Sequence, residues 1–172
     1  VGKLSTRTTM RSIILLISLI LAGTAFSQTS LKEGPKVNGI GLGDSREDVR
    51  RWMGKPTSET RKKADECVGG TEMTMRYPGL VFRLWDDPAN PKKFTVGAFE
   101  VTSGTWNVSG AKIGQTTTQI TKLFGKPGSR GTERKNLPVW YYEMDEEKSP
   151  GNTNFVFRNG KLVSILSMWL MC

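Results

Sequence analysis

The chain has 172 residues, with 25 Lys and Arg against 16 Asp and Glu, a formal net charge of +9, and no His. The missing His removes the usual general base, the usual catalytic-triad member and the commonest metal ligand together. Two Cys, Cys67 and Cys172, make no zinc site at so wide a spacing.

Residues 1–27 read as a secretory signal peptide. Arg11 precedes the apolar run Ile13–Leu21, and Ala25-Phe26-Ser27 sets small residues before Gln28. The run is too short for a membrane span, which needs about 20 apolar residues. Val1–Thr9 reads as upstream read-through, with Met10 the expected start. The leader holds no Cys, so no lipid anchor is expected. An exported chain of 145 residues remains, about the size of one domain, with 22 basic against 16 acidic residues. Its basic residues are scattered and form no stripe with interleaved aromatics, so nucleic acid is not an expected partner.

Residues 28–38 are a polar lead-in. Then a pattern begins that occurs twice. Residues 39–56 and 110–127 align at a constant offset of 71, pairing Gly39 with Gly110, Gly43 with Gly114, and Gly54-Lys55-Pro56 with Gly125-Lys126-Pro127. Each copy predicts a short helix with both ends specified. Ser45 and Thr116 are N-cap residues, and Asp48 and Gln119 three positions on complete capping boxes. Val49, Trp52, Met53 and Ile120, Leu123, Phe124 form apolar stripes at helical spacing. Gly54 and Gly125 suit the C-terminal turn, and Pro56 and Pro127 stop continuation. Helices this short do not persist alone in water, so each needs a sheet to lie on.

After the first helix, residues 57–70 read as an exposed, charged connection. Strands are predicted at about 71–77, 80–85 and 94–102, with a Pro78-Gly79 turn between the first two and a bulge at Gly97. In the second copy strands are predicted at about 137–144, 153–158 and 161–170. Asn159-Gly160 between apolar runs signals a type I′ hairpin, and Glu143–Gly151 is an acidic loop. The expected fold is α+β: repeat 1 (39–109) and repeat 2 (110–172) each contribute a helix and a roughly three-stranded antiparallel sheet, helices on one face.

The Leu-Gly-x-Ser/Thr entry, short helix, Gly-Lys-Pro exit and following strands resemble the beta-lactamase-inhibitor-protein-like tandem repeat. Small outer-membrane lipoproteins of the barrel-assembly machinery use a similar unit. The resemblance implies helices on one face of an antiparallel sheet and a protein partner on the other.

Of the possible chemistry, adjacent carboxylates (Glu47/Asp48, Asp86/Asp87, Asp145–Glu147) lack a pocket that would split their pKa values into an acid and a base. Gly39-x-Gly41-x-Gly43 follows no strand-like run, which a nucleotide loop requires. Neither a cofactor nor a metal is expected, and the chain reads as non-enzymatic. Strand alternation places Arg83, Trp85 and Arg158 on the face away from the helices, with Trp140 and Tyr142 the expected outward rings of their strand. Trp, Tyr and Arg together are hot-spot chemistry. The expectation is a monomeric, periplasmic or secreted protein-binding module, either an inhibitor of a secreted enzyme or an envelope-assembly accessory. The alternative is a glycan- or peptidoglycan-binding module using the same rings. The even Cys count in an exported chain predicts a Cys67–Cys172 disulfide.

Overall fold

The computed structural model describes residue 31 and residues 34–87, 89–133, 136–144 and 151–169. The expected leader, Cys172 and the interior of the acidic loop lie outside these residues.

The sequence signals for both helices are met. Helix α1 (Arg46–Met53) starts at Ser45, whose hydroxyl accepts from the Asp48 amide while the Asp48 carboxylate accepts from the Ser45 amide. Helix α2 (Thr117–Phe124) repeats the capping box with Thr116 and Gln119. Each such cap stabilises its helix by about 1 kcal/mol. Both helices end on a glycine with φ near +80°, Gly54 and Gly125, a conformation that disfavours any residue with a Cβ.

Upstream of each helix a two-residue turn closes a small loop, Val37–Ile40 and Val108–Ala111. Asn38 and Ser109 adopt positive φ there, each followed by a glycine doing the same. The two turns bond to each other. The Asn38 amide donates to the Asn107 carbonyl, and the Ser109 amide to the Lys36 carbonyl.

The expected pair of helix-plus-three-strand units is overturned. The strands are β1 (Ser58–Lys63), β2 (Thr71–Tyr77), β3 (Leu80–Asp87), β4 (Asn90–Val101), β5 (Ser129–Glu133), β6 (Leu137–Glu143), β7 (Gly151–Arg158) and β8 (Lys161–Trp169). They form one eight-stranded sheet in the order β1-β2-β3-β4-β8-β7-β6-β5. Among the described residues the fold is therefore small and strand-rich with two short helices, and every named pairing is antiparallel. The two strands missed in the sequence are β1 and β5, the sheet's edges. Ser-Glu-Thr-Arg-Lys-Lys and Ser-Arg-Gly-Thr-Glu carry no apolar residue, because an edge strand lying in solvent has little to bury. The centre of the sheet is the β4–β8 seam, which registers Ala98–Val101 against Ile165–Met168.

The core lies between the sheet and the helices. Met73, Met75, Phe82, Leu84, Phe99, Phe155, Leu162 and Ile165 are buried on the sheet's inner face, against Val49, Ile120 and Phe124 from the helices. Trp52 departs from the expected stripe: it is 68% exposed. Its counterpart Leu123 packs close over Gly110, whereas nothing lies within 4 Å of the matching position above Gly39.

Candidate functional site

Two surfaces carry the chemistry singled out in the sequence. The first is the outer face of the sheet, which no described helix covers. Antiparallel registers place its residues in rows. One row crosses all eight strands: Ser58, Arg76, Val81, Glu100, Leu166, Asn154, Tyr141 and Ser129. The next runs through Thr74, Arg83, Ala98, Met168 and Asn152, and beyond it Trp85 lies between Glu72 and Thr95.

Arg76 and Arg83 are exposed, and Trp85, Tyr141, Leu166 and Met168 are partly buried. Glu72 is held by Lys62 at 3.3 Å and accepts from the Thr74 hydroxyl at 3.3 Å. A shallow depression of about 420 Å³ opens beside the Pro78-Gly79 turn, with Arg76, Val81 and Glu100 in its wall. On β7, the Oδ1 atoms of Asn152 and Asn154 are buried without a hydrogen-bond partner among the described residues. This face therefore combines guanidinium groups, partly buried rings and unsatisfied acceptors across several strands.

Of the five residues expected here, Arg83 and Trp85 lie side by side on β3. Arg158 is on the same face but at the far end of β7. Six residues separate it from the row of Arg83, about 20 Å along the strand at ~3.4 Å per residue. It does not join the others.

Trp140 and Tyr142 point the other way, which corrects the expected alternation. Tyr142 is 5% exposed, and its hydroxyl donates to the Gly125 carbonyl at 2.9 Å, bracing the end of α2. Burial pushes its phenol up to about 12, against a lowering by the charge of Arg130. Tyr77 does the same for α1, donating to the Gly54 carbonyl at 3.0 Å. Matching Tyr77 with Tyr142 in the two copies was the available signal that Tyr142 is a brace. The same parity makes Tyr141 the outward ring of β6, paired with Asn154.

The second surface is a groove of about 520 Å³ on the helix side, walled by Thr117, Thr118, Thr121, Lys122, Arg130 and Trp140. The Arg130 guanidinium sits over the Trp140 ring at 4.8 Å, and Phe157 packs 4.8 Å from the same ring. Sequence reading missed this site because β5 was not recognised.

At the equivalent place in the first copy, Glu59 bridges Arg46 and Arg50, both at 2.7 Å. Burial alone would raise the Glu59 carboxyl, but hydrogen bonds and charge from the two arginines outweigh it and hold it below the usual carboxylate range. Among the described residues, no group of three or more His, Cys, Asp or Glu is placed to hold a metal ion. None of the described helices is long and apolar enough to cross a membrane.

No family model matches the chain, so the resemblance to beta-lactamase-inhibitor-protein-like repeats has no such match behind it, and no curated protein matches either. Two solved structures overlap with it in part. One is an extracellular protein containing an SCP domain from Bacillus anthracis, 14% identical, covering 74% of this chain and 44% of that one at a TM-score of 0.47. The other is a DUF4309 family protein from Bacillus subtilis, 10% identical, covering 74% of this chain and 79% of that one at a TM-score of 0.42. The chain thus spans less than half the length of the first. Neither likeness transfers a residue role or a partner.

Proposed function

We propose that this chain is an exported, non-enzymatic module that binds another protein on the open face of its sheet. The observation that carries the proposal is the one-sided layering. Both helices and the core are on one face, while the other presents Arg76, Arg83, Trp85, Tyr141, Leu166 and Met168 across β2 to β6. Arg and aromatic side chains spread over several strands suit a folded partner, because such anchors carry most of the energy of protein interfaces. The leader at 1–27 supports a periplasmic or secreted setting, where the partner is an enzyme to be inhibited or an envelope component being assembled.

The glycan alternative is less favoured. Sugar binding uses a free ring face, and Trp140 is engaged by Phe157 and Arg130, which leaves Trp85 and Tyr141, set on strands at opposite flanks of the sheet, as outer-face rings among the described residues.

The test places a photo-cross-linking residue at Arg83 or, separately, at the exposed Trp52 of α1 on the helix side, and identifies the partner trapped in the native host. The purified partner is then titrated with Trp85→Ala and Trp140→Ala. We expect cross-links from position 83 only, and a loss of about 2 kcal/mol of affinity for Trp85→Ala with little change in unfolding temperature. Trp140→Ala should instead lower stability. Full affinity in Trp85→Ala, or trapping only from position 52, would sink the proposal.

A further inference from the structure

We infer that the groove between α2 and β5 is a binding site for a compact oxyanion, a carboxylate or a phosphoryl group. It is distinct from the open sheet face.

The inference comes from comparing the two copies position by position. At the offset of 71, Arg46 matches Thr117, Arg50 matches Thr121, Arg51 matches Lys122 and Glu59 matches Arg130. In the first copy the space between helix and edge strand is closed: the Glu59 carboxylate is gripped by Arg46 and Arg50. In the second copy the carboxylate is replaced by a guanidinium and the two long arginines by short threonines. The volume the arginines fill in one copy is open in the other, and its walls now carry positive charge and hydroxyl donors.

The wider surroundings follow the same division. Residues 39–61 hold five basic and four acidic residues; residues 110–132 hold Lys112, Lys122, Lys126 and Arg130 and no Asp or Glu. The carboxylate that ends β5, Glu133, alternates onto the face away from Arg130, so an anion entering the groove meets no like charge from α2 or its flanking loops. The amides of the helix N-terminus are not the attraction, since Thr116 caps the Gln119 amide and the Thr117 amide donates to Gly160. The donors are side chains: the Thr117 and Thr121 hydroxyls and the Arg130 fork.

Arg130 is preorganised. Its guanidinium carbon lies 4.8 Å from the centre of the Trp140 ring, a contact that restrains the group while leaving N–H groups to donate. A planar fork held in place suits bidentate capture of a carboxylate or phosphoryl oxygen pair. The first copy shows the same pairing with the signs exchanged.

The test is a titration of the isotope-labelled protein with inorganic phosphate and, separately, acetate, against chloride at matched ionic strength. The readouts are the Thr117 and Thr121 amide resonances and the Trp140 indole N–H. We expect saturable shifts confined to these residues, with a dissociation constant on the order of 1 mM. Saturation by both ions assigns a general oxyanion site, and saturation by phosphate alone assigns a phosphoryl site. The double substitution Thr121→Arg with Arg130→Glu installs the pair that the first copy already accommodates, and should abolish binding while the rest of the spectrum is retained. If that variant does not fold, Arg130→Gln should weaken binding at least tenfold. Shifts that match those of chloride, or unchanged binding in the folded variants, would overturn the inference.

Discussion

The hydroxyl of Tyr142 and that of Tyr77 each reach back to the carbonyl of a helix-terminal glycine, across 17 and 23 positions of sequence. A helix of eight residues has few internal hydrogen bonds, so a side chain holding its last turn against the sheet matters in proportion. Tyr142→Phe should lower stability by about 1 kcal/mol at neutral pH, the net worth of one such bond. The pH dependence has a definite sign. An unfolded tyrosine ionises near 10, while the folded phenol of Tyr142 is raised to about 12. Its contribution is complete below pH ~10 and is lost as pH rises towards the folded value. Unfolding temperatures measured from pH 8 to 11.5 should therefore fall more steeply for the wild type than for Tyr142→Phe. Parallel curves would show that the phenol is not held this way. The ring's inward direction was not readable from Trp-Tyr-Tyr alone, because every alternation of that strand leaves a bulky ring on each face. Only the distant glycine breaks the tie.

At the scale of elements, α1 and α2 are alike in their caps and unlike in what fastens them to the edge strands. Salt bridges from Arg46 and Arg50 to Glu59 tie α1 to β1, and Glu59 is the more buried member of each pair. Glu59→Gln should cost on the order of 1 kcal/mol at pH 7, since each pair is partly solvated. Because the folded carboxyl is held below its ordinary value, its contribution is present above the unfolded pKa of about 4.3 and lost as pH falls through the folded one. Acid unfolding followed from pH 6 to 3 should converge for wild type and variant, and a constant gap down to pH 3 would exclude Glu59 as the cause. The helices were legible because caps, glycines and prolines act locally and leave a mark at fixed spacing. Strand β8 and its Asn159-Gly160 turn were legible for the same reason. The edge strands were not: β1 is held by registers such as Thr60 with Thr74, a fact about its neighbour that six polar residues cannot record.

For the whole molecule, one sheet shared by two copies of a pattern explains why the chain needs both. Neither four-stranded half has a covered inner edge until β4 meets β8. The Cys67–Cys172 bridge belongs to this scale. Cys67 lies between β1 and β2, and Cys172 follows the described end of β8, so a bond between them would link one flank of the sheet to its centre. In the chain-entropy account, closing so long a loop contributes about 4–5 kcal/mol, less any strain. Thiol titration of the denatured, unreduced protein is expected to find no reactive thiol; two per chain would refute the bridge. The offset of 71 was the feature of the sequence that spoke to this level. It registered the helices correctly and the sheet only in part, since the second copy is shorter between its edge strand and Tyr142.

The reciprocal turns at Asn38 and Ser109 also set a schedule. Lys36 donates to the Ser109 hydroxyl, 73 positions later, and the Asn107 amide to the Asn38 side chain. A chain synthesised from its N-terminus delivers the first turn long before its partner. Until residues 107–111 emerge, the turn that leads into α1 lacks the hydrogen bonds it makes to Asn107 and Ser109. Arrival of the second turn then joins both helix entries through the same set of hydrogen bonds.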